Sequence, residues 1–233
     1  MAPLPCPSCA APVPAGSFAC PRCTLAVRAE AGRLVPIFPA IEAGPPLYTA
    51  DLGSELPAGF SADRVQASGV IRLERGADGL GVEVSAGKAL EWTNPYMGLR
   101  DACVRVAVAR TGPTCRVVLT ARSAQLGDAW SEYGFCVEPR RACLARLLGG
   151  RLGTSTVFTA VGDRQAHAGL EAAGSLLEFR VLGPTLEGRV DGRRVVVTHD
   201  PVLGMGRCGF RVEGQGGPAT VLLRRLEIAG VAP

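Results

Sequence analysis

The sequence predicts an all-β protein, a small cysteine-rich unit followed by a two-sheet antiparallel sandwich, and three observations predict it. Four cysteines stand as two Cys-x-x-Cys pairs close to the start of the chain. From about Tyr48 onward, short runs of apolar residues alternate with polar ones, the period-two mark of a half-buried strand. Gly, Pro and Asp-Gly punctuate these runs, and helical periodicity reaches no further than a turn or two near Arg164 to Gly174.

The cysteines come first. Cys6-Pro-Ser-Cys9 and Cys20-Pro-Arg-Cys23 form a four-thiolate set sized for one tetrahedral zinc ion, with sulfurs about 2.3 Å from the metal. The proline in each pair presets φ for the tight turn and removes no needed donor. The pattern resembles the zinc ribbon family, whose knuckles often read C-P-x-C-G. Ala10 and Thr24 replace the usual glycine, which implies a backbone less tightly turned after each knuckle. Two disulfides or two redox pairs are the alternative use of the same spacing. Residues 1–32 carry few large apolar groups (Leu4, Phe18, Leu25), so metal binding has to supply the folding free energy, on the order of 10 kcal/mol. Four thiolates leave no open coordination position, and the expected ion is structural rather than catalytic.

Residues 33–49 follow as an expected Pro-rich linker. Val35 to Tyr48 contains four prolines and resists helix or central strand, while Ile37, Phe38 and Ile41 offer apolar surface to a neighbour. The sandwich is expected over 50–233. Val104, Val106 and Val108 alternate with Arg105 and Ala107. Further strands are read at 115–122, 133–138, 142–148, 176–182, 185–190, 194–199, 208–212 and 220–228. Asp191-Gly192 lies between two of them and is a two-residue hairpin signal, because both residues tolerate φ > 0. The remaining cysteines (Cys103, Cys115, Cys136, Cys143 and Cys208) lie within strand-like runs and are read as small buried hydrophobes.

Several segments carry a resemblance at the level of fold. They are Tyr133-Gly-Phe-Cys-Val137, the run from Gly174 to Gly183, Leu186 to Val197 with its Val-Asp-Gly turn, Gly206-Arg-Cys-Gly-Phe-Arg-Val212, and the closing Leu222 to Ile228. Together they resemble the concanavalin A-like lectin/glucanase jelly roll, particularly its laminin G-like and 3-keto-disaccharide hydrolase-like branch, over roughly 50–230. These motifs are turn glycines and core strands, so they imply a fold and not an activity.

Activity has to come from sites. Retaining glycanases of this fold carry carboxylates at alternate positions of one strand, and no such run occurs. Glu74, Asp78 and Glu83 straddle a Gly-rich turn. Glu132 and Glu138 share a strand face about 20 Å apart, too far for a catalytic pair, and are read as solvated charges. His167 and His199 stand in no metal motif and are read as surface or turn residues. Trp92, Tyr96, Trp130 and Tyr133 lie in or beside loops and are the candidate ligand-binding residues, through stacking on a sugar or partner; the alternative is that they cap the ends of the core. Phe135, Phe158, Phe179 and Phe210 are read as core.

Composition narrows the classes. Hydrophobic residues at 47% with charged residues at 20% describe a globular chain rather than a disordered one. Arginine dominates the cations, with Lys88 the only lysine, and the net charge of +4 is mild and scattered, which argues against nucleic acid as the partner. No run of eighteen apolar residues marks a membrane span, and Met1 to Cys6 lacks a basic n-region, so the expected location is cytoplasmic. The reading that emerges is a non-enzymatic binding or interaction protein, with a structural zinc ribbon and a lectin-like module for a protein partner or glycan. The alternative is a carbohydrate-active hydrolase of the 3-keto-disaccharide type.

Overall fold

A computed structural model describes residues 2–60, 71–127, 129–150, 153–161, 165–166 and 174–232. The chain divides into one unit ending at Ala40 and a second running Ile41–Ala232.

In the first unit, β1 (Leu4–Pro5) pairs with β2 (Pro12–Val13), and β3 (Val27–Glu30) pairs with β4 (Arg33–Pro36). The β3–β4 turn is Ala31-Gly32, with φ of 46° and 78°, the left-handed pair a two-residue hairpin needs. The core of this unit is Cys6, Val13, Cys20, Cys23, Leu25 and Val27, with Leu34 and Phe38 packed against it. So small a set of apolar side chains gives the unit little hydrophobic stabilisation of its own.

The second unit comprises β5 (Glu42–Asp51), β6 (Ile71–Gly76), β7 (Gly79–Val84), β8 (Ala89–Leu99), β9 (Ala102–Thr111), β10 (Cys115–Leu126), β11 (Ala129–Glu138) and β12 (Arg141–Gly150). It continues through β13 (Gly153–Ala160), β14 (Gln165–Ala166), β15 (Ser175–Leu182), β16 (Thr185–Val190), β17 (Arg193–His199), β18 (Gly206–Gly214) and β19 (Ala219–Ala232). One sheet of seven strands runs β13-β12-β11-β10-β18-β8, with β14 beside β12; the other, of eight, runs β17-β16-β15-β9-β19-β7-β6, with β5 beside β19. All pairings are antiparallel.

The fold is therefore the all-β sandwich that the alternation implies. Val104, Val106 and Val108 of β9 and Val117 and Leu119 of β10 point into one core. Phe135 and Phe179 meet there across the two sheets with ring centroids 6.4 Å apart. Gly188 makes room for them, since a Cβ on it would lie 2.3 Å from the Phe135 ring. The β16–β17 hairpin turns on Asp191 (φ 51°) and Gly192 (φ 75°), as the Asp-Gly pair predicts. The five body cysteines are buried, and none is in a disulfide.

The structure departs from expectation over 33–49. This stretch supplies β4 and most of β5 instead of a spacer. Among the described residues β5 pairs with β19 alone, and the register slips on both sides of Ala229, the partner of Pro46, so the ladder tolerates the missing N–H of the exposed Pro45 and Pro46. Of the turn expected near 164–174, only Gln165–Ala166 and Gly174 are described, with Gln165–Ala166 a strand; the rest, with His167, lies outside the described residues, as does the side chain of Phe158.

Candidate metal centre and candidate binding face

The two Cys-x-x-Cys turns bring four sulfurs together, all within 4.8 Å of one another. Cys6 and Cys23 Sγ are 3.7 Å apart, and Cys9 and Cys20 Sγ 3.6 Å. A tetrahedral centre with metal–sulfur bonds of about 2.3 Å has edges of about 3.8 Å, so the donor set fits one thiolate-bound metal ion. None of the four is in a disulfide.

Each knuckle repeats one backbone pattern. Ala10 N–H donates to Cys6 C=O and Cys6 N–H to Ala11 C=O; Thr24 and Cys20 do the same with Cys20 and Leu25. Both turns close through a left-handed residue, Ala10 at φ 59° and Thr24 at φ 62°. The backbone is thus as tightly turned as glycine would allow, contrary to the looser turn that the missing glycines imply. Hydrogen bonding from the Cys23 N–H, opposed by burial and aided by the Arg22 N–H, brings the Cys20 thiol down to about 6. Burial and the neighbouring sulfurs push the Cys23 thiol the other way, up to about 12.

The second constellation lies on the outward face of the seven-stranded sheet. Strand alternation sends Phe210 and Val212 inward and Arg211 outward, yet Arg211 is only 2% exposed. Its Nη2 donates to Glu91 Oε2 at 3.0 Å and to Glu132 Oε1 at 2.9 Å, and its guanidinium lies 4.8 Å from the Trp130 ring centroid. Trp130 in turn occupies the space over Gly149, where a Cβ would meet the indole at 2.2 Å. Beside them Val118, Cys136, Cys143, Ala145 and Leu147 form a small buried apolar cluster.

Glu132 is fully buried, which corrects its reading as a solvated charge: three strands away, Glu91 shares its arginine. Burial pushes the Glu132 carboxyl up to about 7 against the pull of Arg211. Glu138 instead pairs with Arg116 at 2.6 Å at the far end of the strand, and Glu74 with Arg72 on the surface.

The four aromatic candidates separate. Trp92, 4% exposed, stacks on Tyr48 at 5.7 Å and meets Phe210 at 5.9 Å, and its Nε1–H donates to Ala58 C=O. Tyr133 is wholly buried; its hydroxyl donates to Asp200 Oδ1 (2.8 Å) and accepts the Leu203 N–H (2.9 Å). Neither faces a ligand, because each falls on the inward row of its strand beside Leu90 or Phe135. Trp130 is half-buried over Arg211, and Tyr96 is 77% exposed. His199 is buried at the end of β17 rather than on the surface.

Sequence reasoning passed over Arg211, Glu91 and Arg122. A signal existed for the first: a charged residue between two core apolar ones in a strand marks an outward position whose charge needs a partner.

No protein-family model matches the chain, and no curated protein does. Solved structures do resemble it. The chain is similar to carbohydrate binding module CBM66 from Bacillus subtilis (TM-score 0.52, 13% identity, covering 69% of this chain and 92% of that one). It is also similar to the apo Crh5 transglycosylase (TM-score 0.54, 13% identity, 82% and 90% covered) and to the same enzyme in complex with NAG (TM-score 0.51, 15% identity, 82% and 90% covered). At such identities the likeness establishes the jelly-roll sandwich fold and no more.

Proposed function

We propose that the chain is a non-enzymatic binding protein: a structural zinc ribbon on a lectin-like recognition module whose ligand is a glycan or a protein. Zinc is the ion that four cysteine thiolates in a closed tetrahedral set favour, and it supplies cross-linking rather than chemistry. Its ligands are Cys6, Cys9, Cys20 and Cys23. The observation that carries the non-enzymatic reading is the state of Glu132. Its carboxyl is sealed from solvent and held by Arg211, so it presents no acid to a bound sugar. The likeness to a carbohydrate binding module supports a recognition role for the sandwich.

One observation favours hydrolysis as a second reading. Glu91 Oε2 and Glu132 Oε1 share one guanidinium nitrogen at 3.0 and 2.9 Å, so they lie no more than about 6 Å apart, near the about 5.5 Å spacing of a retaining pair. A glycan array with the full chain, followed by reducing-sugar release on every glycan retained, separates the two. Retention without turnover is expected. Turnover that Glu132→Gln abolishes would establish the hydrolase instead.

A further inference from the structure

Where β8 and β18 reach one end of the sandwich, β8 carries a wide bulge: Thr93 pairs with Gly209 and Gly98 with Arg207, so residues 94–97 face Cys208 alone. Asn94, 1% exposed, closes the bulge by accepting the N–H groups of Tyr96 (2.9 Å) and Met97 (3.2 Å) on Oδ1. Those two bonds fix which end of the amide is oxygen. Its Nδ2 is buried and has no hydrogen-bond partner, an orphan donor at the base of the bulge. The bulge lifts Tyr96 clear of the surface.

The neighbouring loop adds to this rim. Met205 (63% exposed) lies over Gly98, where a Cβ would be 3.8 Å from its Cε, and Val202 is 57% exposed. Their backbone is fixed from beneath: Arg122 donates to Arg100 C=O (2.8 Å) and Leu203 C=O (2.6 Å), and Asp200 Oδ1 accepts the Val202 N–H (3.0 Å). A loop backbone so held adds little backbone ordering cost when its exposed apolar side chains bind. Two exposed arginines border them, Arg100 next to Leu99 and Arg207 opposite Gly98, and neither takes part in an ion pair among the described residues. The nearest acid in sequence, Asp101, is engaged by Arg122 and by the Gly183 N–H.

We propose that this rim of Tyr96, Val202, Met205, Arg100 and Arg207 is a docking site for an acidic segment of a partner protein. Tyrosine, methionine and arginine are the types enriched where proteins meet, and two exposed aliphatic side chains suit an apolar anchor better than a sugar ring. The unpaired guanidinium groups select for negative charge. The proposal rests on the binding-protein reading and narrows it.

The test selects random dodecapeptides on the full-length protein and titrates the enriched peptides against variants. Enrichment in Asp and Glu is expected, with Kd rising at least tenfold in Tyr96→Ala and in Arg100→Glu/Arg207→Glu, and unchanged in Lys88→Glu, a surface cation elsewhere. Affinity should also fall as salt is raised. Thermal melts of the variants, all at exposed positions, confirm that they fold. Peptides that bind but ignore the charge reversal would overturn the rim. Glycans retained while no acidic peptide is enriched would overturn the partner class and leave the binding-protein reading standing. Retention of neither would sink both.

Discussion

Ala10 and Thr24 hold left-handed conformations that cost an L-residue about 1 kcal/mol or more, and each does so at the position that closes a Cys-x-x-Cys turn. Replacing either with glycine should therefore tighten metal binding about fivefold, read by competition with a chromophoric chelator; weaker retention would show that the side chains contribute packing instead. At Glu132 the sign is opposite to that of an ordinary paired carboxylate. Its folded value near 7 lies above the usual 4.5, so the native state holds the proton more tightly. The stability this confers is complete below about pH 4.5 and lost as pH rises through 7, by about 3 kcal/mol at most. Urea melts of the full chain at pH 5.5 and 8 should show the loss in wild type and a flat response in Glu132→Gln; parallel profiles would mean that Arg211 keeps the carboxyl ionised throughout. The clustering of four cysteine sulfurs was legible in the sequence because the Cys-x-x-Cys spacing alone defines it. Trp92 and Tyr133 were legible in principle too, since each continues an inward row with Leu90 or with Phe135 and Val137, but their loop-like neighbours pointed elsewhere. The Glu91–Arg211–Glu132 contact was not legible, because it joins three strands whose order no local pattern reveals.

Among the elements, β10 depends on a residue no turn rule would choose. Arg122 sits at φ 54° where the register of β10 slips, and its guanidinium ties the carbonyls of Arg100, Gly183 and Leu203 to one point. Arg122→Ala strands three carbonyls and should cost at least about 3 kcal/mol in a urea melt. A loss below about 1 kcal/mol would show that water replaces the guanidinium. Glycine 206 is part of the same arrangement, since a Cβ there would lie 2.5 Å from the Arg122 carbonyl carbon. The hairpin at Asp191-Gly192 was legible because its chemistry is local. The β5 strand was hidden, because its prolines speak against pairing and only the length of β19, which carries β7 along one stretch and β5 along the next, makes room for it.

For the whole molecule, the separate cores of the two units predict separate responses to metal removal. A strong chelator, or Cys9→Ser, should abolish the zinc bound per chain measured by mass spectrometry and unfold residues up to Ala40. The sandwich should still melt at its original temperature, and a single transition lowered as one would refute that independence. The edge position of β5 bears on a different hazard. A sheet whose last strand offers a free row of N–H groups recruits copies of itself, and crowded or stressed cells turn such edges into fibrils. Here β5, which among the described residues pairs with β19 alone, carries two adjacent positions, Pro45 and Pro46, that have no donor to give an incoming chain. The residues that disguise this segment as a linker thereby make the sheet a poor seed for aggregation.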